Sequence, residues 1–570
     1  MKTSALFLIL LFPFLTFAQH QPARVELVAS DYLEGQKRAD GTTAQKVYKG
    51  VFRHEKTLLT ADSAYFFSQQ NTFEAFGQVH IIQGDSLDIY ADYLHYNGNE
   101  RLATLQNHIR LIDKEAVLTT DFLTYNLLSK EGHYQQGGKL VNKQNTLTSE
   151  HGYYHVKTHE ISFKNEVLIV SPEVRIKSDT LQYNTLSKIA WFYGPTKIFG
   201  KDDTLYTENG YYDTKFDRAK FGKKNLYIQQ SQTLTGDSLF YDKKKGYGKA
   251  LKHIVFRDTL NKLTIKGNVG IYDKKSAKVM VTDAAHCIFE TVDGNTKRDT
   301  IWFAADTIYS RELTFFKSTS TTTPIVNEYL HTTTPSVNTA TIIEKSSAIV
   351  PMDTIRYRQI SAYHHAKLFK SDLQAKADSM IFSYLDTSIR CFNHPIIWSQ
   401  QNQLNADTIA VFLKNKKLYR IHLLNNAFIV SPETVSVCFN QIKGRNVMGW
   451  FVDNKLKTML VTGNAESVYY AKDKSEIVGL NKSSSGAIRL IFGNNQLQSV
   501  VSIKNPEMAF IPIDVATDED KILQGFIWKP QGRPQSALDV IPMSSVASKT
   551  VQLGIKKPTK KIKKYREKHR

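Results

Sequence analysis

One arrangement of apolar, small and acidic positions recurs seven times in the first half of the chain, at intervals of 29 or 30 residues. Each copy has an acidic anchor that follows a small residue, as in Ala61-Asp62 and Ser178-Asp179. The seven anchors are Asp62, Asp92, Asp121, Glu150, Asp179, Glu208 and Asp237. A fixed period of this length predicts that neighbouring units stack into one core, because a single unit cannot bury its own apolar face.

Two rows of apolar residues accompany the anchors. An aliphatic row stands three positions before them, at Leu59, Ile89, Leu118, Leu147, Ile176, Leu205 and Leu234. An aromatic row stands four positions after them, at Phe66, Tyr96, Tyr125, Tyr154, Tyr183, Tyr212 and Tyr241. Each unit therefore offers one aliphatic and one aromatic side chain to a shared interior.

Each unit has the composition of a β hairpin. Ser86 to Asn97 and Arg101 to Asp113 are rich in aromatic and branched residues, and the turn sequence Asn97-Gly98-Asn99 separates them. The apolar residues do not follow the 3.6-residue spacing of a helix. We predict an all-β fold, an elongated β-jellyroll or taco-like double sheet that is built from hairpin repeats of about 29 residues.

The alternation along each strand changes phase at the anchor. Side chains of a regular strand return to one face at every second residue, yet Leu118 and Leu123 are five residues apart, as are Ile176 and Leu181. A bulge or bend at the small-acidic pair would turn both residues toward one interior and carry the strand from one sheet to the other. We expect the acidic side chain to accept backbone N–H bonds freed by this break; a catalytic or calcium-binding role is the alternative.

The first 18 residues have the pattern of a secretory signal peptide. Lys2 precedes the apolar run from Ala5 to Leu15, and a small residue, Ala18, ends the segment. No second apolar stretch approaches the roughly 20 residues that a membrane-spanning helix needs. The three cysteines are Cys287, Cys391 and Cys438, which are far apart in sequence and odd in number. We therefore predict an exported, periplasmic protein without a disulfide framework, and association with the outer membrane is the alternative location.

The formal net charge is +20, and residues 551–570 contribute nine lysines and arginines against one glutamate. In an exported protein such a charge points to anionic lipid head groups and sugars rather than to nucleic acid. The sequence contains no Gly-rich phosphate loop, Gly-x-Ser-x-Gly elbow or Cys-x-x-Cys pair. We expect no enzymatic activity and no cofactor, and we assign no catalytic residue.

The repeat loosens after Asp237, and weaker copies follow. They are anchored at Asp283, Asp306, Asp353, Asp378 and Asp407. The predicted organisation is a signal peptide (1–18), a β-repeat domain (24–315), a Ser/Thr-rich linker or insertion (316–349), a second repeat block (350–440), a C-terminal β region (441–545) that caps the array, and a flexible basic tail (546–570).

Hairpins of the form small-Asp-x-Leu-x-Tyr-Asn, paired with strands such as Ala75 to Ile81 and Leu105 to Leu111, resemble the OstA-like family of periplasmic lipopolysaccharide-transport proteins, also named for organic solvent tolerance. The resemblance covers roughly residues 25–260 and recurs over 350–440. It implies a β-jellyroll-like or taco-shaped module with an apolar groove that receives acyl chains of lipopolysaccharide and passes them toward the outer membrane. The chain is much longer than the one-module bridge proteins of that family.

Under this hypothesis the aliphatic row and residues of the second strands line the groove. The candidates are Leu59, Val79, Ile81, Ile89, Ile109, Leu111, Leu118, Leu147, Val167, Ile169, Ile176, Ile198, Leu205 and Leu234. Expected partners are lipopolysaccharide or a related glycolipid, with basic residues at the rim meeting its phosphates. Other envelope transport proteins, or further copies in head-to-tail order, could pair with exposed sheet edges.

Other interpretations stay open at this point. A structural or adhesive surface solenoid would have an interior packed solid, and the aromatic row can be such a packed row rather than a ligand platform. A solenoid glycan hydrolase or lyase would use the acidic anchors, although no copy has an additional acid that sets it apart. The spacing of His151, His155 and His159 suits metal ligands only on a helix, and His364-His365 is no stronger a candidate.

Overall fold

The computed structural model describes residues 23–37, 41–84, 87–113, 116–293, 297–317, 353–414, 417–433, 438–474, 476–493 and 496–542. Within these ranges the chain is almost entirely antiparallel β structure, which confirms the predicted fold class. The chain divides into two compact units between Asp217 and Arg218, called unit 1 and unit 2 below. No helix among the described residues is long and apolar enough to cross a membrane.

The strands of unit 1 are β1 (Glu26–Ala29), β2 (Tyr32–Lys37), β3 (Thr43–His54), β4 (Thr57–Phe67), β5 (Thr72–Gln83), β6 (Leu87–Asn97), β7 (Leu102–Asp113), β8 (Ala116–Asn126), β9 (Glu131–Tyr134), β10 (Gly138–Asn142), β11 (Asn145–Ser149), β12 (His151–His155), β13 (Glu160–Val170), β14 (Arg175–Asn184), β15 (Ile189–Phe199) and β16 (Asp203–Asp213).

The strands of unit 2 are β17 (Arg218–Lys223), β18 (Asn225–Gln229), β19 (Gln232–Gly236), β20 (Ser238–Asp242), β21 (Tyr247–Asp258), β22 (Leu263–Asp273), β23 (Lys278–Thr282), β24 (His286–Asp293), β25 (Lys297–Ala304), β26 (Thr307–Lys317), β27 (Asp353–Lys370), β28 (Leu373–Ser383), β29 (Ser388–Phe392), β30 (Ile396–Ser399), β31 (Asn402–Asn405), β32 (Thr408–Lys414), β33 (Lys417–Pro432), β34 (Phe439–Val452), β35 (Lys455–Asp473), β36 (Glu476–Gly493), β37 (Gln496–Ile503) and β38 (Glu507–Pro512). A short helix α1 (Asp518–Lys521) and two 3-10 turns, Pro530–Gly532 and Ala537–Asp539, follow.

Each long hairpin of unit 1 has a break in register near its middle. Between β6 and β7, for example, Tyr90 faces Arg110 and Tyr93 faces Gln106, with an irregularity between them. The strand halves on one side of the breaks form a first wall, which includes residues 57–60, 79–83, 87–91 and 109–113. The halves on the other side form a second wall, which includes residues 63–67, 72–76, 93–97 and 102–106.

The predicted change of phase is present in the structure. Leu118 and Leu123 lie on opposite sides of a break and are both buried, and the same is true of Ile176 and Leu181. The interior therefore receives apolar side chains from both walls, as the predicted double sheet requires.

The bulge itself lies on a different strand from the predicted one. At the break between β6 and β7, residues 107–109 of β7 face residues 91–92 of β6, so the extra residue is not in the small-acidic pair. It belongs to a pair of consecutive residues with left-handed backbone, Asn107 (φ 63°) and His108 (φ 50°). Equivalent pairs are Gly77-Gln78, Asn165-Glu166, Lys252-His253, His364-His365 and Asn425-Asn426.

The acidic anchors lie on the outside of these corners. The donors identified at several anchors are side chains of the left-handed pairs rather than the expected backbone N–H groups. Distances from imidazole Nδ1 to carboxylate oxygen are 2.6 Å for His108–Asp92, 2.9 Å for His253–Asp237 and 2.8 Å for His365–Asp306. Asp283 is not an anchor, because it occupies a left-handed position itself (φ 61°).

The small residue before each anchor lies inside the corner. Thr207 is fully buried, and its hydroxyl donates to the carbonyl of Asn209 at 2.9 Å. Thr120 donates to the carbonyl of Gly137 at 2.7 Å. The Asn that ends the motif lies at the far end of the repeat. Asn126, for example, accepts hydrogen bonds from the backbone N–H groups of Leu128 and Ser129 and so closes the hairpin turn. The recurring motif thus specifies the corner at one end and the turn at the other.

The chain after β38 leaves the sheet and packs along unit 2. Three buried glutamines of the strands hold this segment. Gln403 and Gln441 bond to its backbone, and Gln374 accepts a hydrogen bond from Nε of Arg533 at 2.7 Å. Gln441, for instance, donates to the carbonyl of Lys521 at 2.7 Å and accepts from the N–H of Leu523 at 2.9 Å. Strands therefore fill the predicted C-terminal β region only up to Pro512. The predicted signal peptide, basic tail and all but the first two residues of the linker (316–349) lie outside the described residues.

Replacement of Asn107 by valine tests the left-handed corner. A branched residue with positive φ costs about 1–2 kcal/mol, so Asn107→Val should lower the local free energy of opening by that amount, whereas Asn107→Gly should not. Gln106→Val is the matched control, because Gln106 is equally exposed but has negative φ. Hydrogen exchange of residues 103–111 measures the effect. Equal losses in Gln106→Val and Asn107→Val would contradict the assignment.

Candidate functional site

The interior of unit 1 changes from sealed to accessible along the chain. In the aromatic row, Tyr96 and Tyr125 are 0% exposed and Tyr154 is 5% exposed, whereas Tyr183 and Tyr212 are partly exposed. The aliphatic row has the same trend, since Leu59 and Ile89 are fully enclosed and Leu205 is not. The first repeats therefore have a packed core, and the later repeats leave apolar surface accessible to solvent or a ligand.

A cavity lies between the two walls where this change begins. It contains about 150 Å³ of water-accessible space. Its lining is mainly apolar and includes Leu111, Leu118, Leu123, Leu140, Tyr134, Ile161 and Phe163. Polar residues and one exposed leucine stand at its margin, namely Asp113, Asn142, His159, Thr185, Leu186 and Lys188. We call it the unit 1 cavity.

Three tyrosines of the second wall reach across the interior to polar residues at the margin of the first wall. Tyr96 bonds to His54 (Oη to Nδ1, 2.5 Å), Tyr125 donates to Gln83 (Oη to Oε1, 2.7 Å), and Tyr154 donates to the carboxylate of Asp113. Gln83 also donates to the carbonyl of Leu127 at 3.0 Å. We call Tyr96, Tyr125 and Tyr154 the cross-wall tyrosines; their bonds join the free margins of the walls over the first repeats.

The protonation states suit these bonds. Burial raises the pKa of all three phenols above the ordinary value, so each hydroxyl keeps its proton and donates it. Burial lowers the pKa of His54, so its ring is neutral at pH 7. Nε2 of His54 faces the carbonyl of Ala23 at 3.0 Å and must donate there, which leaves Nδ1 as the acceptor for Tyr96.

The cross-wall series does not continue in the next two repeats. By the period of the chain, Tyr183 would reach Asn142, but no hydrogen bond joins these two side chains in the described part of the chain, and the Tyr183 hydroxyl lies near Thr214, beyond the end of β16. Tyr212 donates to Asp217 at 2.7 Å, in the turn after its own strand. Both hydroxyls stay on the side of the second wall, and Asn142 remains at the margin of the unit 1 cavity.

Thirteen of the fourteen predicted groove residues belong to the first wall of unit 1, and Leu234 lies in unit 2; they do not share one environment. Leu111 and Leu118 line the unit 1 cavity. Eight others are buried in the packed core: Leu59, Val79, Ile81, Ile89, Ile109, Leu147, Val167 and Ile176. The remaining four are partly exposed: Ile169, Ile198, Leu205 and Leu234. The lipid contact of these residues stays a prediction.

A larger cavity lies within unit 2, and the sequence reasoning placed no candidate residue in it. It contains about 480 Å³ of water-accessible space, which is within the range of about 300–1,000 Å³ typical of ligand sites. Its lining is mostly aliphatic and aromatic, including Phe289, Phe303, Phe382, Leu404, Leu413, Ile421, Leu423, Val447 and Met459. We call it the unit 2 cavity. The sequence signal for this cavity is the alternation of apolar and polar residues in the second repeat block, which turns apolar side chains inward.

The rim of the unit 2 cavity is polar and contains both charges. Lys370 pairs with Asp372 at 2.5 Å, and Asn261, Glu290, Gln400 and Asn402 also line the site. Tyr384 lines it as well; its buried hydroxyl has no hydrogen-bond partner among the residues that the structure describes, and burial raises the pKa of the phenol. The cavity thus combines an apolar body with a polar rim, the arrangement that suits an amphipathic ligand.

The other sequence candidates lie elsewhere. No group of three or more His, Cys, Asp or Glu side chains within the described ranges could hold a metal ion. Of the three histidines in β12 and its turn, His155 bonds to Glu131 at 3.1 Å and His159 stands at the margin of the unit 1 cavity. Aromatic rings of the first repeats pack on one another. The ring centroids of Phe73 and Tyr96, for example, are 5.3 Å apart.

These features define a class of protein, an antiparallel β-repeat protein with a folded-over double sheet and apolar space between its walls. Residues 22–179 match the family model described as OstA-like protein, which confirms the predicted resemblance over that part of the chain. A similar solved structure is the crystal structure of LptH, the LptA homologous periplasmic component of the conserved lipopolysaccharide transport device from Pseudomonas aeruginosa, with 13% identity, a TM-score of 0.13, and coverage of 24% of this chain and 79% of LptH. No curated protein matches the chain.

Burial of His54 should make the stability of the first repeats depend on pH. Because the pKa of folded His54 lies below that of the unfolded residue, the unfolded state binds the proton first as the pH falls. Stability is therefore full above about pH 6.5 and declines as the pH falls from there toward the folded pKa. Hydrogen exchange of β3 and β6 at about pH 7.5 and pH 5 should reveal this loss. His54→Gln keeps a donor and an acceptor without titrating and should flatten the profile; an unchanged profile would contradict the assignment.

Binding of an apolar dye tests the unit 2 cavity. Leu413→Trp places a larger ring at a partly exposed lining position and should weaken binding of N-phenyl-1-naphthylamine by about tenfold, in a fluorescence titration, since it fills space that the dye needs. Tyr419→Trp is the control on the following strand, because Tyr419 is 42% exposed and does not line the cavity. Equal binding by both variants would show that the dye binds elsewhere.

Proposed function

We propose that the protein binds lipopolysaccharide or a related glycolipid in the periplasm and shelters its acyl chains during transport to the outer membrane. The observation that carries the proposal is the apolar space inside the β structure, about 150 Å³ in unit 1 and about 480 Å³ in unit 2. An acyl chain in water costs about 0.8 kcal/mol per CH₂ group, so even a chain of about 14 carbons requires a shelter worth on the order of 10 kcal/mol. The OstA-like match over residues 22–179 supports this function.

The polar groups of the unit 1 cavity suit an anionic amphipath. Lys188 and His159 stand at its margin, whereas Lys370 at the rim of the unit 2 cavity is already paired with Asp372. A phosphate held at the unit 1 margin leaves the attached acyl chain pointing into apolar space. The formal charge of +20 adds a long-range attraction for anionic lipids.

Contacts with other envelope proteins would use the sheet margins. In β38, Met508 and Phe510 are 67% and 54% exposed, and in β37 Val500 is 46% exposed. In β2, Tyr32 is 57% exposed. Exposed apolar strands of this kind add strands from a partner, and we propose a further transport protein or a second copy as that partner.

The position of the acidic anchors favours a carrier over a glycan-active enzyme. Asp92 and Asp237 lie on outer corners and pair with histidines, whereas the cavities between the walls have apolar linings. A carboxylate pair that hydrolyses a glycan must flank the bound sugar. The alternative of a structural solenoid is favoured by one observation, the sealed core around Ile89 and Tyr96, and we propose that these repeats are a scaffold for the open ones.

Photocrosslinking in the native envelope tests the proposal. A photoreactive residue at Leu140 or Leu404, in the unit 1 and unit 2 cavities, should form adducts with lipopolysaccharide. The same residue at the exposed positions Lys157 or Lys249 should not. If the protein is exported and folded but neither leucine position yields an adduct, the carrier function is refuted and the structural solenoid is preferred.

A further inference from the structure

The margins of the two walls in unit 1 are joined in some repeats and free in others. The cross-wall tyrosines bond to His54, Gln83 and Asp113, and the polar partners follow one another at intervals of 29 or 30 residues. The next positions of the two series are Asn142 and Tyr183, and among the described residues no hydrogen bond joins them; the Tyr183 hydroxyl lies near Thr214 instead. The last joined repeat is therefore the one that contains Tyr154.

We propose that an acyl chain enters unit 1 from the side, through the free margin between Asn142 and Lys188, and that the cross-wall tyrosines prevent it from passing into the earlier repeats. This inference rests on the proposed function and adds to it the place of access and its limit. The ligand class is an acyl chain with an anionic head group.

The lining of the unit 1 cavity supports this place of access. Leu186, which is 75% exposed, and Lys188 lie at its outer end, whereas Leu111 and Leu123, both nearly inaccessible, lie at its inner end. An exposed leucine beside a lysine offers the acyl chain and its phosphate adjacent partners. Most of the remaining lining is apolar.

Beyond the inner end the interior is closed by two kinds of contact. Tyr125 is fully buried, and its hydroxyl fixes Gln83 on the opposite wall. Leu94 and Leu105, the next leucines of the second wall, have no exposed surface. Movement of an acyl chain into this region requires the walls to separate, which breaks the hydrogen bonds of the cross-wall tyrosines inside an apolar interior.

The test uses full-length protein in which leucine is replaced throughout by its diazirine analogue, which has nearly the size of leucine. The protein is irradiated with purified lipopolysaccharide, and adducts are mapped by mass spectrometry. In the wild type, the cavity leucines Leu118 and Leu140 should be labelled, and Leu94 and Leu105 should not.

A triple variant removes the cross-wall hydroxyls and keeps the rings: Tyr96→Phe, Tyr125→Phe and Tyr154→Phe. Labelling of Leu94 and Leu105 relative to Leu140 should rise by at least about tenfold, since each lost hydrogen bond shifts an equilibrium by about twofold to tenfold and three are lost together. The control removes three hydroxyls from outward-facing rings, by Tyr32→Phe, Tyr90→Phe and Tyr193→Phe, at positions that are 57%, 37% and 42% exposed. It should label as the wild type does.

The outcomes separate this inference from the function on which it rests. Equal labelling of Leu94 and Leu140 in the wild type, or no increase in the triple variant, would overturn the barrier while leaving the carrier function in place. Labelling of leucines in unit 2 alone would overturn access through unit 1. Absence of lipopolysaccharide adducts from every leucine of the folded protein would overturn both.

Discussion

The rest of the structure depends on one constraint, that each strand must direct apolar side chains into the same interior before and after it changes walls. A regular strand cannot do this over an odd spacing such as that from Leu118 to Leu123. The consecutive left-handed residues on the facing strand supply the missing shift, at about 1–2 kcal/mol for each residue that has a side chain. Burial of two apolar rows offsets that cost. The exposed His–Asp pairs outside the corners contribute little stability, because solvent screens them.

Much of this design could be predicted from the sequence, because a period of 29 or 30 residues repeats every local signal seven times. The hairpins, the two rows and the change of phase at the anchor all follow from it. The position of the bulge did not follow, although its signal is present in the chain. Gly77, Asn107, Asn165, Gly194 and Lys252 each lie 15 residues after an anchor and adopt positive φ. The acidic residue is the conspicuous part of each copy, whereas the corner is marked by Gly and Asn, the residues that tolerate left-handed backbone.

The state of the interior could not be predicted, because it depends on pairs that are far apart in sequence. Tyr96, Tyr125 and Tyr183 have the same place in the motif, but only the first two reach the opposite wall. Their partners His54 and Gln83 share polarity and hydrogen-bonding capacity rather than residue type. The unit 2 cavity depends in the same way on how far the walls separate, which no local pattern encodes. The motif therefore specifies the hairpin and corner of each repeat. The residues at the margin of the first wall, such as His54 and Gln83, determine whether that repeat is closed.

The repeats with an open interior depend on the closed repeats for stability. Apolar side chains that line empty space lose packing contacts, so a double sheet that is open throughout would sacrifice much of its stability. In unit 1 the sealed repeats around Ile89 and Tyr96 supply a fully packed core. In unit 2, which has the larger cavity, the chain after β38 adds a second cluster in which Leu523 packs with Val468 and Leu480. The side chains of Gln403 and Gln441 donate hydrogen bonds to the backbone of this segment and fix it along the strands. The additional contacts lie outside the cavity lining, so they stabilise the open sheet without filling the space that a ligand would occupy.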